Sequence, residues 1–157
     1  MTCWKAPRRG GQGGSAIPTL VERATRFVIL GALPAGKLSE HVAAQLSAAM
    51  CRLPARLRVS LTWDQGAEMA AGRQFSLAAD CPVYFCDPHK PWQRGSNENT
   101  NGLLRQYFPK GHFDFTTISQ PDLDTIADEL NGRPRQTLGW ATPSEKLAQL
   151  LGVATTP

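Results

Sequence analysis

The chain has 157 residues, 41% of them apolar, with 17 Lys plus Arg against 13 Asp plus Glu and a net charge of +4. That length suits one packed domain, is short for two, and the composition is not that of a disordered chain. There is no apolar run long enough to span a membrane and no apolar segment near the N-terminus to serve as a secretory signal. The expectation is therefore a cytoplasmic protein with no membrane partner.

Residues 1–14, rich in glycine around Arg8 and Arg9, read as a disordered or unrelated lead-in. "SAIPTLVERATRFVILGAL" (15–33) reads as two strands around a turn at Glu22–Thr25, with Pro18 placed where a strand is at an edge or interrupted. "SEHVAAQLSAAMCRLP" (39–54) reads as a helix capped by Ser39, with Val42, Leu46, Ala49 and Leu53 on one face and Pro54 as its stop. In 57–66, Leu57, Val59, Leu61 and Trp63 alternate with polar residues, the pattern of a strand that runs out at Asp64. "CPVYFCD" (81–87) reads as a second strand ending in a carboxylate. A helix then carries Leu103, Leu104, Tyr107 and Phe108 behind an asparagine-rich start. Leu123, Ile126, Ala127 and Leu130 mark a further helix that stops at Asn131-Gly132. Thr142, Pro143 and Glu145 form the capping box of a last one, closed by Gly152. Residues 153–157 are a tail. The order predicts a mixed α/β layer fold over 15–152.

Four cysteines, Cys3, Cys51, Cys81 and Cys86, form no CxxC pair. They read as reduced thiols rather than as a zinc site with His89.

Asp64 and Glu98 stand out as a pair with 33 residues between them, one at a strand end and one in the first turn of a helix. Two carboxylates brought together repel, and a hard divalent cation such as Mg2+ or Mn2+ removes that repulsion. The plainer alternatives are an N-cap role for Asp64 and a dipole-satisfying role for Glu98. Glu68 and Asp87 are reserve carboxylates, Asp87 reading as a turn residue before Pro88.

"LTWDQGAEMA", "VYFCDPHKPWQRGSNENTNGLLRQYFPKG" and "LNGRPRQTLGWATPSE" closely resemble the catalytic core of the IS-thirty family of bacterial insertion-sequence transposases, and the hairpin segment resembles that family's early hairpin. The resemblance covers about Ser15 to Leu151. It implies a ribonuclease-H-like, integrase-type fold and a DDE enzyme in which two aspartates and a glutamate hold two magnesium ions for DNA strand cleavage and transfer. On the family motif, Asp64 is the second aspartate and Glu98 the glutamate. The partners it implies are DNA (transposon ends and target) and another transposase chain, as a homo-oligomer or by association with intact transposase.

The first aspartate has no counterpart, since no acidic residue precedes Glu22. Its central strand and the helix-turn-helix region upstream are expected to be missing too, as a frameshifted or misplaced start would leave them. Gly72 stands where the family commonly has histidine. The expectation is a transposase core inactive for want of the first carboxylate. The alternatives are a catalytically dead fragment that binds DNA or dimerises and so modulates intact transposase, and a different nuclease using Asp64, Glu98 and Asp87. Gln93, Arg94, Asn97, Asn99, Asn101 and Arg105, flanking Glu98, are the expected DNA-binding set, because amides read base edges and guanidinium groups pair with phosphates. Lys90, Lys110, Arg133 and Arg135 are weaker candidates.

Overall fold

In a computed structural model, residues 3–5, 17–32, 39–63, 75–76, 78–87, 95–109, 115 and 117–152 are described. Among these the chain is a mixed α/β structure in layers. Strand β1 is Cys3–Lys5, β2 is Thr19–Val21, β3 is Val28–Leu30, β4 is Ser60–Trp63 and β5 is Val83–Phe85. Helix α1 is Ser39–Cys51, α2 is Gly95–Leu104, α3 is Gln120–Asn131 and α4 is Pro143–Leu151. β1 and β4 run parallel, as do β4 and β5, giving the order β1-β4-β5; β2 and β3 form an antiparallel hairpin, with β2 next to β1.

The sequence reads residues 1–14 as a disordered or unrelated lead-in and expects the family's first strand to be lost; of these residues the structure describes Cys3–Lys5, as a strand. Cys3–Lys5 pair in parallel with β4, Cys3 opposite Ser60 and Lys5 opposite Thr62. Three residues are too few to show a periodicity, so the pairing is invisible in the sequence. It is made by backbone groups, which a neighbouring strand satisfies whatever its side chains.

The hairpin is apolar on both faces because it is covered on both. Leu20 joins Leu46, Met50, Leu61, Trp63 and Phe75 in one core, under α1. Val21, Val28 and Leu30 join Leu104, Phe108, Leu123 and Leu130 in a second, under α2 and α3. That double burial explains why "RFVIL" reads as a near-continuous apolar run rather than an alternating one. Pro18 lies just before β2, where its missing N–H costs nothing, and its carbonyl accepts from Gly31 N–H at 3.0 Å.

The strand expected from Leu57 begins only at Ser60. Pro54 starts a short 3-10 turn, Ala55–Leu57, closed by Leu57 N–H to Pro54 O at 2.9 Å. Leu57 and Leu61 are buried as the alternation requires, but Val59 between them is 42% exposed. β5 is shorter than expected, and the buried Cys81 and Cys86, neither in a disulfide, flank it. Five residues of extended chain put them roughly 15 Å apart, too far to share a zinc ion; His89 lies outside the described residues.

Helix ends follow their local chemistry. Ser119 and Asp122 make a capping box at α3, and Thr142 and Glu145 make one at α4. Gly152 closes α4 in the left-handed conformation, φ +65°.

Candidate active site

The candidate residues are carried by two segments. β4 ends at Trp63, directly before Asp64, and Cys86 N–H donates to Trp63 O at 2.8 Å, so β4 and β5 end level with each other. Asp64 itself lies outside the described residues, as do Gln93, Arg94, Glu68, Gly72, Lys90 and Lys110. Asp87 is exposed, two residues past β5.

α2 carries Glu98 in its first turn, and Glu98 is exposed. The helix is amphipathic in a way its composition hides. Ser96, Thr100, Leu104 and Phe108 recur every fourth residue on the inward side; Thr100, Leu104 and Phe108 are buried and Ser96 is half-buried. Thr100 is accommodated there by donating its hydroxyl to Ser96 O at 3.0 Å. Glu98, Gly102 and Arg105 follow the opposite, solvent side, with Asn99 exposed and Asn101 half-buried beside them. Asn97 is part of the helix, but its side chain lies outside the description. The structure therefore brings Glu98, Asn99, Asn101 and Arg105 onto one outward surface.

Arg133 and Arg135, the weaker DNA-binding candidates, make contacts within the domain. Arg133 donates to Gln106 Oε1 at 3.0 Å and to Tyr107 Oη at 2.5 Å, and stands 3.8 Å from Glu129 Oε2. Arg135 donates to Leu130 O at 2.9 Å, and burial, then the charge of Arg133, holds its guanidinium below the usual arginine range. Both fasten the segment after α3 to the rest of the domain.

The hairpin turn holds residues that sequence reasoning missed. Glu22 is fully buried. Its carboxylate accepts from Ala24 N–H at 3.0 Å and from both the N–H and the hydroxyl of Thr25 at 2.6 Å. Arg26 follows in the left-handed conformation, φ +63°, which costs a non-glycine residue about 1–2 kcal/mol. Its N–H donates to Glu22 O at 2.8 Å, and its guanidinium reaches across to donate to Ser96 Oγ, in the first turn of α2. The one local signal was a glutamate three residues before a threonine in a turn, a pattern too common to act on.

Among the described residues no group of three or more His, Cys, Asp or Glu side chains is placed to hold a metal ion. Carboxylate oxygens do suit a hard divalent cation. Of the two carboxylates singled out in the sequence, the structure describes Glu98 alone. Nor is any helix among the described residues long and apolar enough to cross a membrane.

These features define an α/β core in which an acidic, amide-rich helix face follows a pair of parallel strands. Comparison with known proteins narrows that class to transposases of insertion sequences. The chain is 51% identical over 143 residues to the transposase for insertion sequence element IS1086 of Cupriavidus metallidurans, covering 91% of this chain and 42% of that protein. It is 46% identical over 153 residues to transposase InsI for IS30A of Escherichia coli, covering 98% of this chain and 39% of the relative. A third relative, the transposase for IS4351 of Bacteroides fragilis, is 40% identical over 136 residues, 87% of this chain and 41% of its own length. No protein-family model matches. Over this span the chain belongs to the IS30 family of transposases, and it spans about two fifths of the length of these curated relatives.

Proposed function

We propose that this chain is the catalytic-core portion of a DNA transposase with a ribonuclease-H-like arrangement, acting on transposon ends and target DNA. The observation that carries the reading is an order of parts. Asp64 directly follows β4, β5 runs parallel beside it, and the helix after β5 holds Glu98 in an exposed first turn. Asp64 and Glu98 would hold a magnesium or manganese ion, which when bound stabilises charge on the reacting phosphate. Asn99, Asn101 and Arg105 would receive the DNA backbone on the outward face that carries Glu98, with Gln93, Arg94 and Asn97 as further DNA-binding candidates from the sequence.

In this reading β1, parallel to β4, takes the place of the family's first strand, but Cys3, Trp4 and Lys5 are not carboxylates. The third ligand of the family site is therefore missing from the strand that should carry it, and strand cleavage by this chain should be absent. The test is a nicking and strand-transfer assay on supercoiled plasmid with Mg2+ or Mn2+. The chain should be silent, and Asp64→Asn and Glu98→Gln should change nothing. Replacing residues 1–14 with the family's first strand, aspartate included, should create cleavage that both substitutions abolish. Cleavage by the unaltered chain that Asp87→Asn stops would assign the site to a different carboxylate set.

A further inference from the structure

We propose that Arg26 is a positioning residue for Glu98: from the hairpin turn it fixes the first turn of α2, and so the place at which Glu98 meets a divalent cation. The proposal rests on the reading of Glu98 as a metal ligand and adds a residue to it. Three observations converge on Arg26.

The first is the contact itself. The Arg26 guanidinium donates to Ser96 Oγ across 70 residues of sequence, which ties the hairpin to α2 at its first turn. Further along α2, Val21 and Val28 share an apolar core with Leu104 and Phe108. Apolar packing sets a distance but tolerates sliding, whereas a hydrogen bond with a defined direction sets a register. The second is the rigidity of the turn that presents the arginine. The buried Glu22 carboxylate gathers Ala24 and Thr25, and Glu22 O holds the Arg26 N–H, so the base of the side chain is fixed before it reaches out. The third is the backbone. Arg26 keeps a left-handed φ that glycine would adopt without strain, and the strain is tolerated at a position whose side chain bridges two elements.

Ser96 and Glu98 are two residues apart and so lie about 200° apart around the helix axis. Arg26 therefore acts on Glu98 through the helix backbone rather than through its charge. That separation gives the test its sign. A cation near a metal site opposes metal binding, so deleting Arg26 by charge alone would tighten it. A loss of affinity marks geometry.

The experiment measures Mn2+ binding to the full chain from the loss of the free-ion paramagnetic resonance signal, alongside thermal melting. Glu98→Gln should abolish binding. Ser96→Ala, which keeps every charge, and Arg26→Gly, which relieves the backbone, should each weaken binding about tenfold, the scale set by outer-shell partners of metal ligands. The Arg26→Gly chain should melt no lower than the original. Arg26→Lys should recover part of the affinity, and combining Ser96→Ala with Arg26→Gly should do no more than either alone, because both remove one bond. If Ser96→Ala and Arg26→Gly bind Mn2+ like the original chain while Glu98→Gln does not, the positioning role is wrong and the metal reading stands. If their lost affinity follows a lowered melting temperature, the bond is merely structural and the proposal is overturned. If the original chain binds no Mn2+, or Glu98→Gln binds equally well, the metal reading fails and the positioning role goes with it.

Discussion

Helices α2 and α3 both carry amides and carboxylates, and they use them in opposite ways. α3 turns its amides inward. Asn131, buried at its last position, donates to Val28 O and accepts from Val28 N–H, both at 2.8 Å. Gln120, at its first, donates to Leu30 O at 2.9 Å and accepts from Ala32 N–H at 2.8 Å. Together they satisfy the outer edge of β3, doing with two side chains what another strand would do with backbone. α2 turns Glu98, Asn99 and Arg105 outward and buries a threonine and apolar residues instead. Residue type alone does not separate structural from functional polar groups. What separates them is whether the opposing surface offers backbone groups that water cannot reach.

The contrast is sharpest at Asn131. Asn131→Leu keeps the approximate volume but strands the N–H and C=O of Val28 in a buried place, which should cost about 3 kcal/mol. Thermal unfolding should fall by roughly 6–12 °C for a domain of this size; an unchanged melt would show that the edge is satisfied by other means. Next comes the buried carboxylate in the hairpin turn. Glu22→Gln turns an amide N–H2 toward donors and should cost about 2 kcal/mol in denaturant unfolding. A neutral result would remove Glu22 from the inward-facing class.

A smaller effect is expected where the two helices meet. Tyr107, just after α2, donates to Glu129 Oε2 of α3, and that bond, then desolvation, raises its phenol above the usual tyrosine value, while Arg133 opposes the shift. The folded chain thus keeps this proton to higher pH than the unfolded chain does. Its contribution to stability is complete below about pH 10, the unfolded value, and fades as pH rises through the folded one. Tyr107→Phe should flatten the alkaline fall in stability, read by melting across a pH series. The smallest effects on folding belong to the outward face. Asn99→Ala and Arg105→Ala should each change stability by less than about 0.5 kcal/mol. Arg105→Ala should nevertheless weaken binding to a duplex oligonucleotide and flatten its salt dependence by about 0.9 in logarithmic slope. A change in stability without a change in DNA binding would move Arg105 to the same class as Asn131.

Local order settled much of this protein before any tertiary contact. The capping boxes at Thr142 and the stops at Pro54 and Gly152 depend on residues within one turn of each other, so sequence alone specifies them. The hairpin and the position of Glu98 in a helical first turn were legible for the same reason: each follows a short apolar run or a near-neighbour rule. The face of α1 was read only in part: Leu46 is buried as expected, but the buried face runs through Ala43 and Met50. Asn131 read as a helix stop and Glu22 as a turn residue, and both proved buried and bonded. Arg133 and Arg135 read as weaker DNA-binding candidates, and the fold uses both as fasteners. The three-residue β1 could not be read at all. In every one of these cases the deciding partner is a backbone or side-chain group brought close by folding, most of them far along the chain. Hydrogen-bond satisfaction across such distances leaves no period in the sequence, and only the packed structure determines which polar group is enclosed and which is left facing water.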